Sequence, residues 1–488
     1  LSFVNVELLA LDENELEAFY SVEPGLRVYT RYLNDVLRNK AHTLSEKEEK
    51  ILAAAQELAD APTRIASMLM NADLKFEKVV DSEGKEHGVS NGSFLSLLQS
   101  KDRTLRKNAF ESLYKGYENV KNTSATILSS QIKQLKFYSE MRNFDSSLQA
   151  ALHDNNVEEQ VYPNLIKAVH ENIHILHKYM RLRKKVMGLD ELHMYDLYTS
   201  LFPTCDVEVP FEKAKEHIVE SVSVLGKEYQ DVVRNAFESR WIDIYENKGK
   251  RAGAYASGSK VHPFILLNYN NTLDDVFTLA HEAGHSIHTM YSNEFQPFPT
   301  SNYVIFVAEV ASTCNEALLM EYLLGKTTDK KERAYLINHF LDQFKGTLYR
   351  QTMFAEFELN IGRIVSEGKT LTADLLCAEY RRLNEMYFGP DMIVDDEIAM
   401  EWARIPHFYY NFYVYQYATG FSAAIALSQK ILEEGESAVK AYKENFLSAG
   451  CSKDPVSILN DAGVDMSTKE PINQALKLFA SLIDELDE

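Results

Sequence analysis

The sequence predicts a mainly α-helical fold with a small β-sheet. Long stretches are periodic in apolar residues and poor in glycine, above all residues 102–186 and most of the chain after Leu273, and this pattern is typical of packed helices. Only two short segments, 76–80 and 263–269, favour strands. With 488 residues, the chain is long enough for several domain-sized units, or for one large unit with a smaller one attached.

The N-terminal part of the chain predicts helices followed by a hairpin. Ser45 and Glu48 have the spacing of a capping box, in which two side chains satisfy free backbone N–H groups at the start of a helix. The strand at 76–80 meets an Asp-Ser-Glu-Gly turn and is predicted to return through Val89. Two prolines within residues 201–210 predict a loop between helical blocks.

A break in the helical pattern precedes the second strand. Glycine and serine are frequent in residues 247–260, which predicts an irregular connection. The apolar run 263–269 predicts a buried strand. Thr272 and Asp275 then fit the looser form of a capping box, so a long helix is expected from Leu273 onward.

Charge and cysteine spacing argue against several classes of protein. A formal net charge of −21 argues against a nucleic-acid partner, because a phosphate backbone needs a basic surface. The sequence has no run of 18 or more apolar residues, so no transmembrane helix is predicted. The four cysteines, at positions 205, 314, 377 and 451, are widely spaced, which argues against a disulfide framework and favours the reducing cytoplasm.

The sharpest motif is His281-Glu282-Ala283-Gly284-His285, within the helix predicted from position 273. Residues four apart lie on one face of a helix, so both imidazoles can bind a single zinc ion. Glu282 projects beside this pair, where it can take a proton from the hydrolytic water. Gly284 weakens a helix by about 1 kcal/mol, which makes sense if another element packs closely against it.

Zinc also needs a third protein ligand, and the next predicted helix, over residues 303–324 with Gly325 as its C-cap, offers one. Glu309 lies in the otherwise apolar run 306–311, where a carboxylate is costly unless it is paired or bound to metal. Glu316 lies seven residues further on, shares that face, and is expected to orient a ligand histidine through its second ring nitrogen. The alternative is a chance match formed by core histidines and helix-edge carboxylates.

Taken together, these residues resemble the thimet oligopeptidase and oligoendopeptidase F family of zinc peptidases. The resemblance covers nearly the whole chain and is closest to the oligoendopeptidase F branch. It rests on segments that occur in the family order, namely 251–255, 263–269, 281–285 with His288, 309–313 and 406–413.

The resemblance implies a mainly α, two-lobed zincin-type fold, with a deep central substrate channel and a small β-sheet beside the active-site helix. Such a channel admits short unstructured peptides and excludes folded proteins. The resemblance also implies a catalytic domain over residues 96–488, with its zinc site at 281–316. An N-terminal helical subdomain over residues 1–95 would precede it, shortened at its start relative to the family.

Site residues follow from the same resemblance. It makes His281, His285 and Glu309 the ligands of one zinc ion per chain, and Glu282 the catalytic base. These are the residues that the spacing and the apolar surroundings also favour. Glu316 keeps its expected role of orienting a ligand.

A tyrosine-rich segment supplies further candidates. His407, Tyr410 and Tyr417 are spaced by three and seven residues, which on a helix places them on one face, whereas Tyr413 falls elsewhere. Imidazole and phenol groups are donors that can stabilise the oxyanion formed during peptide hydrolysis. Relatives in the family use a histidine and tyrosines of this region in that way. The alternative is an aromatic stripe that belongs only to the core.

Gly253, Ala254 and Tyr255 are expected to bind substrate. Together with the strand that follows, they are predicted to form one wall of the cleft, where an edge strand pairs with an extended peptide through backbone hydrogen bonds. The glycine would let the loop close over the substrate. The alternative is an ordinary surface hairpin.

The sequence therefore predicts a cytoplasmic zinc endopeptidase that hydrolyses internal bonds of short peptides. Two rivals remain. A metallocarboxypeptidase with the same zinc motif would release single C-terminal residues, and a helical binding scaffold with an accidental motif would hold no stoichiometric zinc. Cleavage products and metal content separate these three hypotheses.

Overall fold

The computed structural model of the chain describes residues 3–202, 208–258 and 260–488. The fold is mainly helical with small sheets, which confirms the predicted class. Residues 203–207 of the loop predicted at 201–210, including Cys205, lie outside the described residues. None of the described helices combines the length and apolar character needed to cross a membrane.

The first half of the chain is built from short and medium helices. The predicted capping box is present, because the side chains of Ser45 and Glu48 exchange hydrogen bonds with the backbone at the start of one of them. In chain order the α-helices are α1 (Phe3–Ala10), α2 (Glu13–Val22), α3 (Thr30–Arg38), α4 (Glu46–Ala59), α5 (Ala61–Met68), α6 (Phe94–Leu98), α7 (Arg103–Glu118), α8 (Lys121–Met141), α9 (Ser147–Asp154), α10 (Val161–Glu171), α11 (Ile173–Val186), α12 (Phe211–Ser221) and α13 (Lys227–Glu238).

Helices of the second half surround the candidate site. These are α14 (Leu273–Phe295), α15 (Ile305–Lys326), α16 (Lys330–Gln343), α17 (Arg350–Ser366), α18 (Ala373–Phe388), α19 (Tyr415–Glu434), α20 (Glu436–Ala441), α21 (Pro455–Asp461) and α22 (Glu470–Asp487). Helix α15 packs against both α14 and α19, so it forms the centre of this half. A π-helical segment over Phe344–Tyr349 joins α16 to α17.

The strands are short and form three small sheets. They are β1 (Val79–Val80), β2 (Glu86–His87), β3 (Leu192–His193), β4 (Ile242–Asp243), β5 (Tyr255–Ser257), β6 (Phe264–Leu266) and β7 (Met392–Ile393). Strands β1 and β2 are the predicted hairpin, and β3 pairs with β7 in parallel. The three-stranded sheet has the order β4-β6-β5, with β6 parallel to β4 and antiparallel to β5.

Strand β5 is an edge strand that lies against the long helix α14. The contact is close just after the strand ends, because a Cβ atom added to Gly258 would lie 2.0 Å from Cγ2 of Thr289 on α14. A side chain at position 258 would therefore push the strand away from the helix. The small sheet predicted beside the motif helix is present at this place.

Helices α14 and α15 meet at a glycine, as the sequence predicts. A Cβ atom added to Gly284 would lie 2.6 Å from Cα of Ser312 and 2.8 Å from the carbonyl oxygen of Ala311. Only glycine therefore allows this backbone approach. The other glycine prediction is wrong, because α15 continues through Gly325, and Thr327 caps it in an extended conformation.

Candidate active site

Three potential ligand atoms converge between α14 and α15. Nε2 of His281 and Nε2 of His285 are 3.1 Å apart. The Oε2 atom of Glu309 lies 3.3 Å from the first of these nitrogens and 3.6 Å from the second. All three atoms lie within 4.8 Å of one another, and among the described residues this is the group of ligand side chains able to hold a metal ion.

The donor set fits zinc. Two imidazoles and one carboxylate form the three-ligand set of many catalytic zinc sites, which leave a further position for water or substrate. The helix provides the spacing of His281 and His285, and the Thr272 capping box starts that helix as predicted. The candidate ligand side chains are between 18% and 32% exposed, so the cluster is partly open to solvent.

Glu316 contacts the ring nitrogen of His281 that does not face the cluster. Its Oε1 atom lies 2.6 Å from Nδ1 of His281, and its Oε2 atom accepts a hydrogen bond of 2.8 Å from Nε2 of Gln343. The carboxylate thus holds the proton on Nδ1 and leaves Nε2 free to bind a cation. The sequence does not predict the hydrogen bond from Gln343, because this residue lies on a third helix, α16, and belongs to no recognisable motif.

The electrostatics of the cluster favour a bound cation. Burial opposes protonation of His281, but its contacts with Glu309 and Glu316 prevail and raise its pKa to about 10. Burial alone would raise the pKa of Glu309. The contacts with His281 and His285 outweigh it and hold the pKa of this carboxyl well below its usual range. The carboxylates of Glu309 and Glu316 thus favour positive charge at His281, and a bound cation would supply this charge in place of the proton on Nε2.

Glu282 lies beside the cluster and is largely enclosed. It is 6% exposed, and its Oε2 atom has no hydrogen-bond partner in the part of the chain that the structure describes. Burial raises the pKa of Glu282, although the neighbouring histidines and the backbone N–H of Ala256 on β5 oppose the rise. A buried carboxyl with an unused oxygen and a raised pKa is suited to accept and return a proton.

The tyrosine-rich segment does not form the predicted helix. His407 lies in a 3₁₀ turn over Pro406–Tyr409, Asn411 and Phe412 have left-handed backbone angles, and α19 begins only at Tyr415. The prediction that His407, Tyr410 and Tyr417 share one helix face is therefore wrong. Pro406 starts the 3₁₀ turn, and the two left-handed residues separate it from α19.

The same side chains nevertheless meet in space. The ring of His407 lies 5.6 Å from Tyr410, 5.9 Å from Tyr417 and 6.1 Å from Tyr413, measured between centroids. Tyr413 also lies 5.3 Å from Tyr417. We call these four residues the aromatic quartet. Tyr413 was wrongly placed elsewhere by helical spacing, and nothing in the sequence signals the turn that brings it in.

Helix α19 brings Tyr417 of the aromatic quartet near Glu309, the candidate third ligand. A Cβ atom added to Gly420, three residues after Tyr417 on α19, would be 3.8 Å from Cβ of Glu309. Burial raises the pKa of the Tyr417 hydroxyl, and both Tyr413 and the charge of Glu309 add to the rise. Burial lowers the pKa of His407, which therefore carries a neutral imidazole near neutral pH.

The predicted substrate-binding residues lie at the start of β5. Gly253 has a φ of 87°, a value that few other residues adopt, and its carbonyl accepts a hydrogen bond from Nδ2 of Asn268. Ala254 follows, and Tyr255 opens the strand with 47% of its side chain exposed. These residues thus lie on the sheet edge that passes Glu282.

A cavity of about 710 Å³ adjoins the cluster, within the range typical of ligand sites. Its walls include His281 and Glu316, residues of the preceding turns of α14, and residues of α16 such as His339. Neither His285 nor Glu309 lines this cavity, so it reaches the cluster from the Glu316 side of His281.

Known proteins resemble this chain over almost all of its length. A model of peptidase family M3 matches residues 96–478, and a model described as Oligopeptidase F matches residues 7–76. Oligopeptidase PepF of Bacillus subtilis (strain 168) is 47% identical over 483 residues, which cover 99% of this chain and 72% of that protein. Group B oligopeptidase PepB of Streptococcus agalactiae is 42% identical over 487 residues, covering 100% and 81%.

Solved structures agree with these matches. Oligoendopeptidase-F from Enterococcus faecium superposes with a TM-score of 0.84 at 38% identity, covering 100% of this chain and 82% of that one. A crystal structure from Chlamydophila abortus gives a TM-score of 0.93 at 39% identity, covering 99% and 81%.

Proposed function

The chain belongs to peptidase family M3, and from this premise we propose that it is a zinc-dependent endopeptidase of short unstructured peptides. The convergence of His281, His285 and Glu309 beside the enclosed carboxyl of Glu282 is the observation that supports the proposal best. We assign the catalytic domain to residues 96–488. Residues 1–95 are proposed to form an N-terminal helical subdomain that covers it.

Zinc would be held by His281, His285 and Glu309, and when bound it polarises a carbonyl and makes water more acidic. Glu316 keeps His281 in the tautomer that can bind the ion. The negative charge of Glu309 would offset part of the charge of the cation. Because Glu309 lies on α15, it would bind the ion from a different side than the two histidines of α14.

Glu282 is proposed as the general base. Its buried carboxylate takes a proton from the water that attacks the peptide carbonyl, and it returns this proton to the leaving amine. Because its pKa is raised, Glu282 accepts the proton of the water more readily than an ordinary carboxylate would, and the resulting carboxylic acid is still acidic enough to protonate the leaving amine.

His407, Tyr410 and Tyr417 are proposed to stabilise the oxyanion that forms on the attacked carbonyl, and Tyr413 joins them on geometric grounds. A neutral imidazole and protonated phenols are hydrogen-bond donors. Donors placed before the reaction begins stabilise a developing negative charge without reorganising.

Gly253, Ala254 and Tyr255 are proposed to guide the substrate onto the free edge of β5. An extended peptide that adds to this edge would be recognised through its backbone, which explains tolerance of many side chains. We further propose a cytoplasmic location, in keeping with free thiols at Cys314, Cys377 and Cys451.

The proposal is tested by Glu282→Gln with a matched control, Glu294→Gln, which changes an exposed glutamate of the same helix. The first variant should keep about one equivalent of zinc and lose turnover of a fluorogenic peptide, whereas the second should match the wild type. Wild-type activity in Glu282→Gln would contradict the assigned base.

Product analysis separates the rival activities. Mass spectrometry of digested short peptides should show internal cuts that chelation abolishes and zinc restores. Loss of single C-terminal residues would instead establish a carboxypeptidase. A protein with far less than one equivalent of zinc, and with no cleavage after zinc addition, would be the non-enzymatic scaffold.

A further inference from the structure

We propose that Glu358 is a positioning residue, whose carboxyl holds residues 410–414 in the conformation that gathers Tyr410 and Tyr413 around His407. The inference rests on the proposed function, because it assigns Glu358 a role in turnover through the aromatic quartet. Glu358 belongs to α17, whereas Glu282 and the candidate ligands belong to α14 and α15.

The backbone of this turn is unusual. Asn411 and Phe412 have φ values of 54° and 52°, so two successive residues other than glycine adopt the left-handed conformation. The other such residues in the described ranges, for example Asn143 and Arg240, occur singly. A bulky residue such as Phe412 rarely adopts this conformation, which persists only where the surroundings enforce it.

Glu358 supplies that enforcement. Its Oε1 atom accepts a hydrogen bond of 2.6 Å from the backbone N–H of Phe412. The carboxyl is 1% exposed, and its other oxygen has no partner within the described part of the chain. Burial of a carboxyl costs free energy, and the hydrogen bond to the Phe412 backbone is the interaction that offsets part of this cost. The Phe412 ring packs edge-on against Tyr162, which anchors the same residue from its side chain.

The turn decides where two members of the aromatic quartet lie. Tyr410 and Tyr413 flank the two left-handed residues, whereas Tyr417 is fixed separately within α19. Relaxation of the turn would carry the Tyr410 and Tyr413 rings away from His407 and leave Tyr417 in place. Loss of the Glu358 contact should therefore lower kcat more than it raises KM, because donors to the oxyanion act in the transition state.

Three variants test this proposal. Glu358→Leu removes the acceptor, while Glu358→Gln keeps an oxygen at the same position. The matched control is Glu356→Leu, which removes a buried carboxyl of the same helix that contacts His170 and Tyr387 instead of the turn. All three are compared with the wild type in the zinc-loaded enzyme, with thermal unfolding measured for each.

Glu358→Leu should lower kcat about 10-fold to 100-fold, the cost of a misplaced catalytic group, with a smaller change in KM and full zinc content. Glu358→Gln should stay within about threefold of the wild type, since its amide oxygen still accepts the hydrogen bond. Glu356→Leu should keep its kcat even if it unfolds at a lower temperature.

Hydrogen exchange gives a readout that does not depend on activity. Amides of residues 408–414, in particular that of Phe412, should exchange faster in Glu358→Leu than in the wild type or Glu358→Gln. Wild-type kcat and unchanged exchange in a folded Glu358→Leu would overturn the proposal, as would equal losses of kcat in Glu358→Leu and Glu356→Leu. If the wild type itself cleaves no peptide while the exchange changes as expected, the proposed function fails and the structural hold on the turn stands.

Discussion

Oε1 of Glu316 on α15 lies 2.6 Å from Nδ1 of His281 on α14. This contact links the two helices that supply the candidate metal ligands, and it fixes the nitrogen of His281 that points to the cluster. A ligand held in one tautomer needs no rearrangement when the ion binds.

Replacement of Glu316 by alanine should weaken zinc binding about 10-fold to 100-fold, the usual cost of losing a carboxylate behind a histidine ligand. Competition with a coloured chelator measures the change. Glu321→Ala, on the same helix but away from the cluster, serves as the control. Equal zinc affinity in both variants would show that the contact has no part in metal binding.

The substitution Gly284→Ala should destabilise the metal-free protein by about 1–3 kcal/mol, because the new methyl group meets the backbone of Ser312, which cannot move aside like a side chain. Gly325→Ala is the opposite case. It is exposed within α15, with nothing near its added Cβ, and should gain up to about 1 kcal/mol. Denaturant unfolding in the presence of a chelator checks both, and an unaffected Gly284→Ala would refute the close approach.

Tyr417→Phe removes a hydroxyl near Glu309 and should lower kcat about 100-fold to 1000-fold, the range seen when an oxyanion donor is lost, with little change in zinc content. Tyr409→Phe removes a hydroxyl from a buried ring outside the aromatic quartet and should leave kcat near that of the wild type. Steady-state kinetics on one fluorogenic peptide compares them. Similar kcat values for the two variants would remove Tyr417 from the proposed mechanism.

Stability should depend on pH through Glu358. Burial raises the pKa of this carboxyl to about 8, against an ordinary value of 4.5. Between these values the folded state holds a proton that the unfolded state releases, so the free energy of unfolding falls as the pH rises, by up to about 1.4 kcal/mol per pH unit. The stabilisation that Glu358 contributes to the folded state is therefore fully present below pH 4.5, and it is lost as the pH rises to about 8.

Glu358→Gln cannot titrate, so its stability should change less across this window than that of the wild type. Urea unfolding of the metal-free proteins at pH 5, 6.5 and 8 measures the difference, and Glu356→Gln should keep the wild-type slope because it retains Glu358. Parallel losses in the wild type and Glu358→Gln would show that other groups dominate.

Features governed by neighbours in sequence were predictable. The Thr272 capping box and the spacing of His281 and His285 depend on a few adjacent residues, and both are present as expected. Gly284 was also understood, since a costly residue inside a well-signalled helix indicates close packing. The positions of Glu309 and Glu316 near the two histidines were also predictable, because both are carboxylates on the apolar face of the next helix.

Features set by distant contacts were not predictable. The turn that gathers the aromatic quartet depends on Glu358, which lies 54 residues before Phe412 in the chain. Helical spacing alone therefore gave the wrong backbone for His407 and Tyr410, and it excluded Tyr413. The prediction that Gly325 is a C-cap was wrong for a related reason. A glycine near a helix end forms a cap only when its backbone is left-handed, and the backbone of Gly325 stays helical.

Strand β5 has three residues, Tyr255–Ser257, so its free edge extends for roughly 10 Å at about 3.3 Å per residue. Alternate residues of a strand face opposite neighbours, so of these three only Ala256 presents its backbone groups to the free edge, and its N–H already contacts Glu282. A peptide added there can therefore pair with only a very short stretch of the protein backbone. The outer parts of a longer peptide would then contribute nothing to this pairing, whatever their sequence or number. One short strand would thus make the enzyme indifferent both to composition and to overall peptide length, and any upper size limit must arise from steric exclusion elsewhere.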